Sequence, residues 1–114
     1  MNTKNLVFAA AAVLSLSGTA NAAGNPAVKN MMEKSDCFTC HALDHKLVGP
    51  SYQEVAARYH GNKASAATVT MLAEKILKGG NGNWNQETGG MPMTPHPQLT
   101  VAQAKAMVKW VLAQ

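Results

Sequence analysis

The residues best suited to chemistry in this chain lie together in the run Cys37-Phe38-Thr39-Cys40-His41. This run holds both cysteines of the sequence and one of its four histidines. Two cysteines three positions apart on a helical turn can each add across a vinyl group of one porphyrin as thioethers, and the next histidine then points an imidazole nitrogen at the iron. The motif therefore predicts one covalently bound haem c, with His41 as an axial iron ligand.

Three other uses of a C-x-x-C pair compete with haem attachment. A thioredoxin-like dithiol needs a strand-rich βαβ setting, and no strong strand pattern flanks Cys37 and Cys40. A structural zinc site needs four ligands, of which the motif supplies three and leaves the fourth to a distant histidine. A plain disulfide would make the position of His41 a coincidence. Haem attachment accounts for all three residues and is the preferred interpretation.

The first 22 residues have the layout of a secretory signal peptide. Lys4 gives a positive start, Leu6 to Leu16 form an apolar run of eleven residues, and Ala20-Asn21-Ala22 is a small-x-small cleavage signal. A run of this length is well short of the roughly twenty residues that span a bilayer, which argues against a membrane anchor. We expect residues 1–22 to be removed, a mature chain that starts near Ala23, and no membrane span after that cleavage.

Size and charge limit what the mature chain can do. Removing 22 residues from 114 leaves 92, enough for one small domain, which often needs a staple such as a covalently bound haem. Loss of Lys4 leaves nine Lys and Arg against six Asp and Glu, so the mature apoprotein has a net charge of about +3 before the haem propionates are counted. This mild excess permits docking on acidic partner surfaces by electrostatic steering. The lysines are scattered without an accompanying aromatic-basic run, which argues against nucleic-acid binding.

Hydrophobic spacing and capping residues predict an all-α domain in residues 23–114, built from about four short helices. These run from Pro26 toward Cys37, from a Ser51–Glu54 capping box to about Tyr59, from about Ala66 to Lys78, and from a Thr100–Gln103 capping box through Leu112. The last helix should pack across the first. The chain between Ala42 and Pro50 is expected to be irregular.

A long loop from Gly79 to Gln98 holds the candidates for the second axial iron ligand. Its segment Met91-Pro92-Met93-Thr94-Pro95-His96-Pro97 contains two methionines and a histidine. A methionine thioether raises the reduction potential of haem iron relative to ligation by two histidines. Flanking prolines would stiffen the loop. The residues alone leave Met91, Met93 and His96 open as candidates.

At this point the sequence resembles the small bacterial monohaem class I cytochromes c. The residues that carry the resemblance are Cys37-Phe38-Thr39-Cys40-His41, then Val48-Gly49-Pro50 with Tyr52, then Pro92-Met93-Thr94-Pro95, and finally Lys109-Trp110-Val111-Leu112. The match covers essentially all of the mature chain. It implies a single-domain class I cytochrome c fold, with the helices wrapped around one covalently attached haem.

The resemblance also assigns the second axial ligand. In that family the methionine of a P-M-x-P segment is the sixth ligand, which carries over to Met93. Met91 is then left to loop or haem packing, and His96 is expected at the surface. His45 and His60 are expected to be solvent-exposed.

Two further haem contacts are implied by the same resemblance. The carbonyl of Pro50 is expected to accept a hydrogen bond from His41, which orients the imidazole and strengthens it as a donor to iron. Trp84 is expected to donate its indole N–H to a haem propionate. The stretch from Asn85 to Gly90 makes the spacing between Trp84 and Met93 longer than in the shortest relatives, a departure that bears more on Trp84 than on Met93.

The function implied is outer-sphere electron transfer by a periplasmic, monomeric carrier that exchanges electrons with redox partner proteins and is not an enzyme. With His41 and Met93 on the iron, no coordination position is open to a substrate. Two alternatives stay open. One is a cytochrome subunit held on a periplasmic dehydrogenase, and the other is an enzyme or gas sensor with five-coordinate haem.

Mass spectrometry of the exported protein tests covalent haem attachment and cleavage of the signal peptide. The chain should start near Ala23 and carry the added mass of one haem, because both cysteines of the motif form thioethers and the signal peptide is cleaved. An unmodified mass with a disulfide between Cys37 and Cys40 would contradict haem attachment.

Overall fold

A computed structural model describes residues 24–114, and the predicted signal peptide lies outside the described residues. Within residues 24–114 the chain forms six α-helices, one 3₁₀ turn and no strand. The α-helices are α1 (Pro26–Lys34), α2 (Cys37–Cys40), α3 (Tyr52–Arg58), α4 (Ala66–Lys78), α5 (Asn85–Thr88) and α6 (Val101–Leu112), and the 3₁₀ turn Gly61–Lys63 lies between α3 and α4. The all-α prediction is confirmed.

Side-chain caps begin the four longer helices. Asn25 accepts hydrogen bonds from two N–H groups in the first turn of α1, and Ser65 caps α4. Ser51 and Thr100 each form a complete capping box at the start of α3 and α6. A cap of this kind stabilises a helix by about 1 kcal/mol, since it satisfies N–H groups that have no partner within the helix. The capping boxes predicted at Ser51 and Thr100 are confirmed.

Helix α6 lies at the centre of the core and packs on α1, α3 and α4. Its packing on α1 is the one predicted from the sequence. One buried cluster joins α6 to α1 and the start of α3, and consists of Met32, Tyr52, Met107, Trp110 and Val111. A second cluster joins α6 to α4, and consists of Ala73, Ala104, Val108 and Leu112.

Three aromatic rings fix α2 against this core. Phe38, which lies between the two cysteines, meets Tyr52 and Trp110 edge-to-face, with ring centroids 5.6 and 6.0 Å apart. Tyr52 and Trp110 meet each other in the same way at 5.7 Å. Edge-to-face pairs bring the positive ring edge to the negative ring face. The motif is therefore anchored through a residue that its consensus leaves unspecified.

The structure contains two single-turn helices, α2 and α5, in addition to the four longer helices predicted from the sequence. Helix α2 is the helical turn that the haem motif requires. Helix α5 forms inside the Gly79–Gln98 stretch, which was expected to be a loop throughout. The sequence did not reveal this helix because four residues are too few to show a hydrophobic period. In the described part of the chain no helix is long and apolar enough to cross a membrane.

Helices α4 and α6 approach each other through two alanines. Ala73 is 1% exposed and Ala104 is 0% exposed. Ala104→Leu should lower the free energy of unfolding of the haem-loaded protein by about 1–3 kcal/mol, because the added atoms must displace a packed helix. Denaturant unfolding followed by circular dichroism measures this change.

The control for that experiment is Ala102→Leu, at an exposed position two residues earlier on the same helix. It should change the unfolding free energy by less than about 0.5 kcal/mol. Equal losses of stability at the two positions would mean that the close approach of α4 and α6 does not restrict the size of the side chain at position 104.

Candidate functional site

One cavity collects the residues singled out from the sequence. It has a volume of about 580 Å³, within the roughly 300–1,000 Å³ typical of small-molecule and cofactor sites. The six predicted site residues all line it: Cys37, Cys40, His41, Pro50, Trp84 and Met93. Residues far apart in the chain are thus brought together by the fold at one place.

Helix α2 presents both cysteines on one turn. Asp36 precedes it in the left-handed region, with φ of 60°, and this turns the chain sharply between α1 and α2. Both thiols are half-buried and free, so they form no disulfide with each other. Burial raises the pKa of Cys37, which keeps it a thiol at neutral pH. The pair is therefore available for thioether formation.

The imidazole of His41 is held by the chain nine residues later. Its Nδ1–H donates to the carbonyl of Pro50 over 2.7 Å, which is the contact expected from the resemblance. Because a carbonyl can only accept, the proton lies on Nδ1 and the Nε2 lone pair of the neutral ring is left for a metal. Burial lowers the pKa of His41, and the bond to Pro50 offsets part of that effect. The ring is therefore neutral at neutral pH, as an iron ligand must be.

Neighbouring residues confine the ring of His41 on two sides. Tyr52 stacks on it, with ring centroids 5.3 Å apart and planes 19° from parallel. A Cβ placed on Gly49 would lie 2.6 Å from Cε1 of the imidazole, closer than real carbon atoms approach. Glycine is therefore required before Pro50, since any side chain would push the ring aside.

Met93 is half-buried, and its backbone is paired with the start of the loop. The N–H of Gly80 donates to the Met93 carbonyl over 2.8 Å, and the N–H of Met93 donates to the Gly80 carbonyl over 3.1 Å. Gly79 has a φ of +63°, and a Cβ there would collide with the backbone from Met93 to Pro95. Met91 also lines the cavity but is 57% exposed. The main chain thus fixes Met93 more firmly than Met91.

The expectation that His96 lies at the surface is wrong. Its Nε2–H donates to the carbonyl of Ser35 over 3.0 Å, linking the loop to the end of α1 across 61 residues. Its Nδ1 is buried and has no hydrogen-bond partner in the described structure. The sequence argument relied on the flanking prolines, which stiffen a loop without deciding which way it faces. His45 and His60 are exposed, as expected.

Trp84 lines the cavity and is clamped by a residue that the sequence analysis missed. The guanidinium carbon of Arg58 lies 3.6 Å from the centroid of the Trp84 ring. Its Nη1 donates to the Asn83 carbonyl over 2.7 Å, and its Nη2 donates to Glu87 Oε1 over 3.1 Å. Tyr59 adds an edge-to-face contact to Trp84. An isolated arginine at a helix end carries no motif, so no local signal in the sequence marked it.

The chemistry of the cavity fits a haem. Two free thiols on one turn match two vinyl groups, a neutral imidazole offers a lone pair, and a thioether that lines the same cavity could supply a second ligand. Within residues 24–114 no cluster of three or more His, Cys, Asp or Glu side chains could hold a metal ion, which counts against the zinc alternative. Helical surroundings likewise count against a thioredoxin-like dithiol.

Comparison with known proteins agrees with this fit. The family model for cytochrome c matches residues 20–114. The chain is 45% identical over 84 residues to cytochrome c-551 of Azotobacter vinelandii, covering 74% of this chain and 93% of that protein. It is 40% identical over 105 residues to cytochrome c-552 of Nitrosomonas europaea, covering 92% and 89%.

Solved structures agree on the fold. The crystal structure of wild-type Nitrosomonas europaea cytochrome c552 superimposes with a TM-score of 0.62 at 34% identity, over 74% of this chain and 95% of that one. The class 1 cytochrome MtoD of Sideroxydans lithotrophicus ES-1, at 24% identity and a TM-score of 0.57 over 75% and 90%, shares the fold. Sequence, fold and cavity chemistry together place this chain in the cytochrome c family, whose members hold haem c covalently and carry electrons.

Proposed function

We propose that this protein is a periplasmic electron carrier that passes single electrons through a haem ligated by His41 and Met93. The observation that carries the proposal is the backbone pairing of Met93 with Gly80, which fixes one methionine on the wall of the cavity that also holds Cys37, Cys40 and His41. A ligand held by the main chain stays in place when the charge on the iron changes.

His41 is the proximal ligand in this proposal, and Pro50 is the residue that orients it. A hydrogen bond from the distal nitrogen of a ligating histidine fixes the ring and raises its donor strength. The 2.7 Å bond from His41 to Pro50 supplies that contact, and Tyr52 supports the ring by stacking on it.

Trp84 completes the cofactor-binding set that we propose. Its indole N–H is assigned to a haem propionate, and Arg58 holds the ring against the cavity wall from outside. The longer spacing between Trp84 and Met93 does not detach this wall, because Arg58 binds both ends of the segment from Asn83 to Glu87.

The mechanism needs little from the protein beyond binding and rigidity. Haem iron supplies a one-electron cycle between the ferrous and ferric states. His41 and Met93 would hold the iron, and with both bound no position would be open to oxygen, peroxide or a substrate, so the proposed role is that of a carrier and not of an enzyme. The cavity lining is mostly apolar and would surround the cofactor with hydrocarbon.

The proposed location rests on residues 1–22, and the proposed partners rest on the charge of the mature chain. We assign residues 1–22 as a cleaved export signal and propose that the mature protein works in the periplasm. The mature apoprotein has a net charge of about +3 before the haem propionates are counted, and this basic excess favours redox partner proteins with acidic docking surfaces. We propose that it works as a monomer.

The ligand assignment is tested by Met93→Ala. This protein should keep its covalent haem, since Cys37 and Cys40 are unchanged, but lose the long-wavelength ferric charge-transfer band characteristic of methionine sulfur. Its reduction potential should fall, and its ferrous form should begin to bind carbon monoxide, because one axial position is now open. Optical spectra and redox titration measure these changes.

Met91→Ala and His96→Asn serve as matched controls in the same loop. Both variants should retain the ferric charge-transfer band, and their ferrous forms should not bind carbon monoxide. A band that survives Met93→Ala but is lost in Met91→Ala would assign the ligand to Met91. An unchanged protein that lacks the band, and binds carbon monoxide only after His96→Asn, would assign the ligand to His96. Carbon monoxide binding by the unchanged ferrous protein at neutral pH would contradict six-coordinate iron altogether and favour an enzyme or sensor.

The proposal of acidic partner surfaces predicts salt-dependent electron transfer. Raising the ionic strength from about 0.01 to 0.15 M shortens the Debye length from about 30 to 8 Å, so the bimolecular rate with an acidic redox protein should fall several-fold. Stopped-flow kinetics measure it. Reduction by an uncharged small reductant, the control, should not change. An unchanged rate with the acidic protein would remove the electrostatic part of the proposal.

A further inference from the structure

The single turn α5 buries a hydroxyl that no protein group satisfies. Oγ1 of Thr88 is buried, and it has no hydrogen-bond partner within the described chain. Thr88 lines the haem cavity, as does Trp84 four residues earlier. An unpaired buried hydroxyl costs free energy of about 1–3 kcal/mol, so a partner for it is expected in whatever fills the cavity.

The turn that carries this hydroxyl is held in place by neighbouring groups. The N–H of Thr88 donates to the Trp84 carbonyl over 2.9 Å, and residues four apart on a helical turn share a face. Glu87, the neighbour of Thr88, is bound by Arg58 over 3.1 Å. The clamp that holds Trp84 therefore also sets the orientation of the turn that carries Thr88.

The groups of a haem narrow the choice of partner. Its vinyl groups are consumed by Cys37 and Cys40, its ring is hydrocarbon and metal-bound nitrogen, and its two propionates are the remaining hydrogen-bonding groups. An ionised carboxylate only accepts hydrogen bonds, and a threonine hydroxyl can donate one.

The second unpaired buried atom cannot take this role. His96 Nδ1 also belongs to a residue that lines the cavity. Because Nε2 of that ring carries the proton donated to Ser35, Nδ1 of the neutral ring is an acceptor, and an acceptor does not pair with a carboxylate. Of the two unpaired atoms, only the Thr88 hydroxyl is a donor.

We propose that Thr88 is a haem-binding residue whose hydroxyl donates a hydrogen bond to a propionate carboxylate. The stretch from Asn85 to Gly90, which lengthens the spacing between Trp84 and Met93, then also contributes a contact to the cofactor. This inference rests on haem occupying the cavity and does not depend on which residue is the sixth iron ligand.

The test is Thr88→Val, which keeps the shape of the side chain and removes the hydroxyl. A donated hydrogen bond stabilises the ionised carboxylate, so its loss should raise the propionate pKa by about one unit. The reduction potential falls as a propionate ionises with rising pH. That fall should therefore move about one unit toward higher pH in the valine protein, as measured by redox titration between pH 4 and 9.

Three controls keep the result interpretable. Thr88→Ser retains a hydroxyl and should titrate like the unchanged protein. Thr70→Val makes the same change at an exposed position on α4 and should shift nothing. Thr88→Ala removes the hydroxyl without adding a methyl group, and should shift the titration even if the valine protein folds poorly.

The inference is overturned if Thr88→Val and Thr88→Ala leave the pH profile unchanged, whatever they do to stability. It is also overturned if Thr88→Ser shifts the profile as far as valine does. The methionine charge-transfer band is recorded in the same samples. Its absence from the unchanged protein would contradict the Met93 assignment without altering the propionate result, so the two failures are distinguishable.

Discussion

All other features of the site are constrained by one helical turn, because Cys37 and Cys40 on it carry the two thiols for haem attachment, and His41 follows them directly. The rest of the chain has to bring its contributions to the cavity beside this turn. Phe38 anchors the turn to α3 and α6, Pro50 orients the imidazole, and the loop after α4 returns to the same cavity.

The packing of this domain reflects the cavity. Helix α6 contributes most of the buried residues and contacts three other helices, while the side of the domain between α2 and the long loop encloses a space of about 580 Å³. Met32, Met107 and Val111 belong to the core and also line that space. Filling it with an apolar macrocycle completes the core, which explains how a domain with only five Phe, Tyr and Trp residues in positions 23–114 buries enough apolar surface.

Much of this arrangement is readable from the sequence, since its signals are local. Caps at Ser51 and Thr100 and the stop at Gly79 define helix ends within a few residues. The residue types and spacing of the Cys37–His41 motif are enough to predict covalent haem attachment. The features that escaped prediction depend on distant partners. Arg58 meets the loop 25 to 29 residues later, and His96 bonds to Ser35 across 61 residues. Neither contact leaves a pattern in the flanking residues, and the turn α5 is too short for periodicity to reveal.

Main-chain pairing between Gly80 and Met93 holds the two ends of the intervening segment together. Residues 81–92 begin and end at this backbone pair, so the number of residues between them does not determine the position of Met93. The entropy of closing such a loop grows only slowly with its length. Insertions and deletions can therefore accumulate in this segment while the thioether keeps its position. The loop becomes a region where new surface can be added to the protein without disturbing the iron.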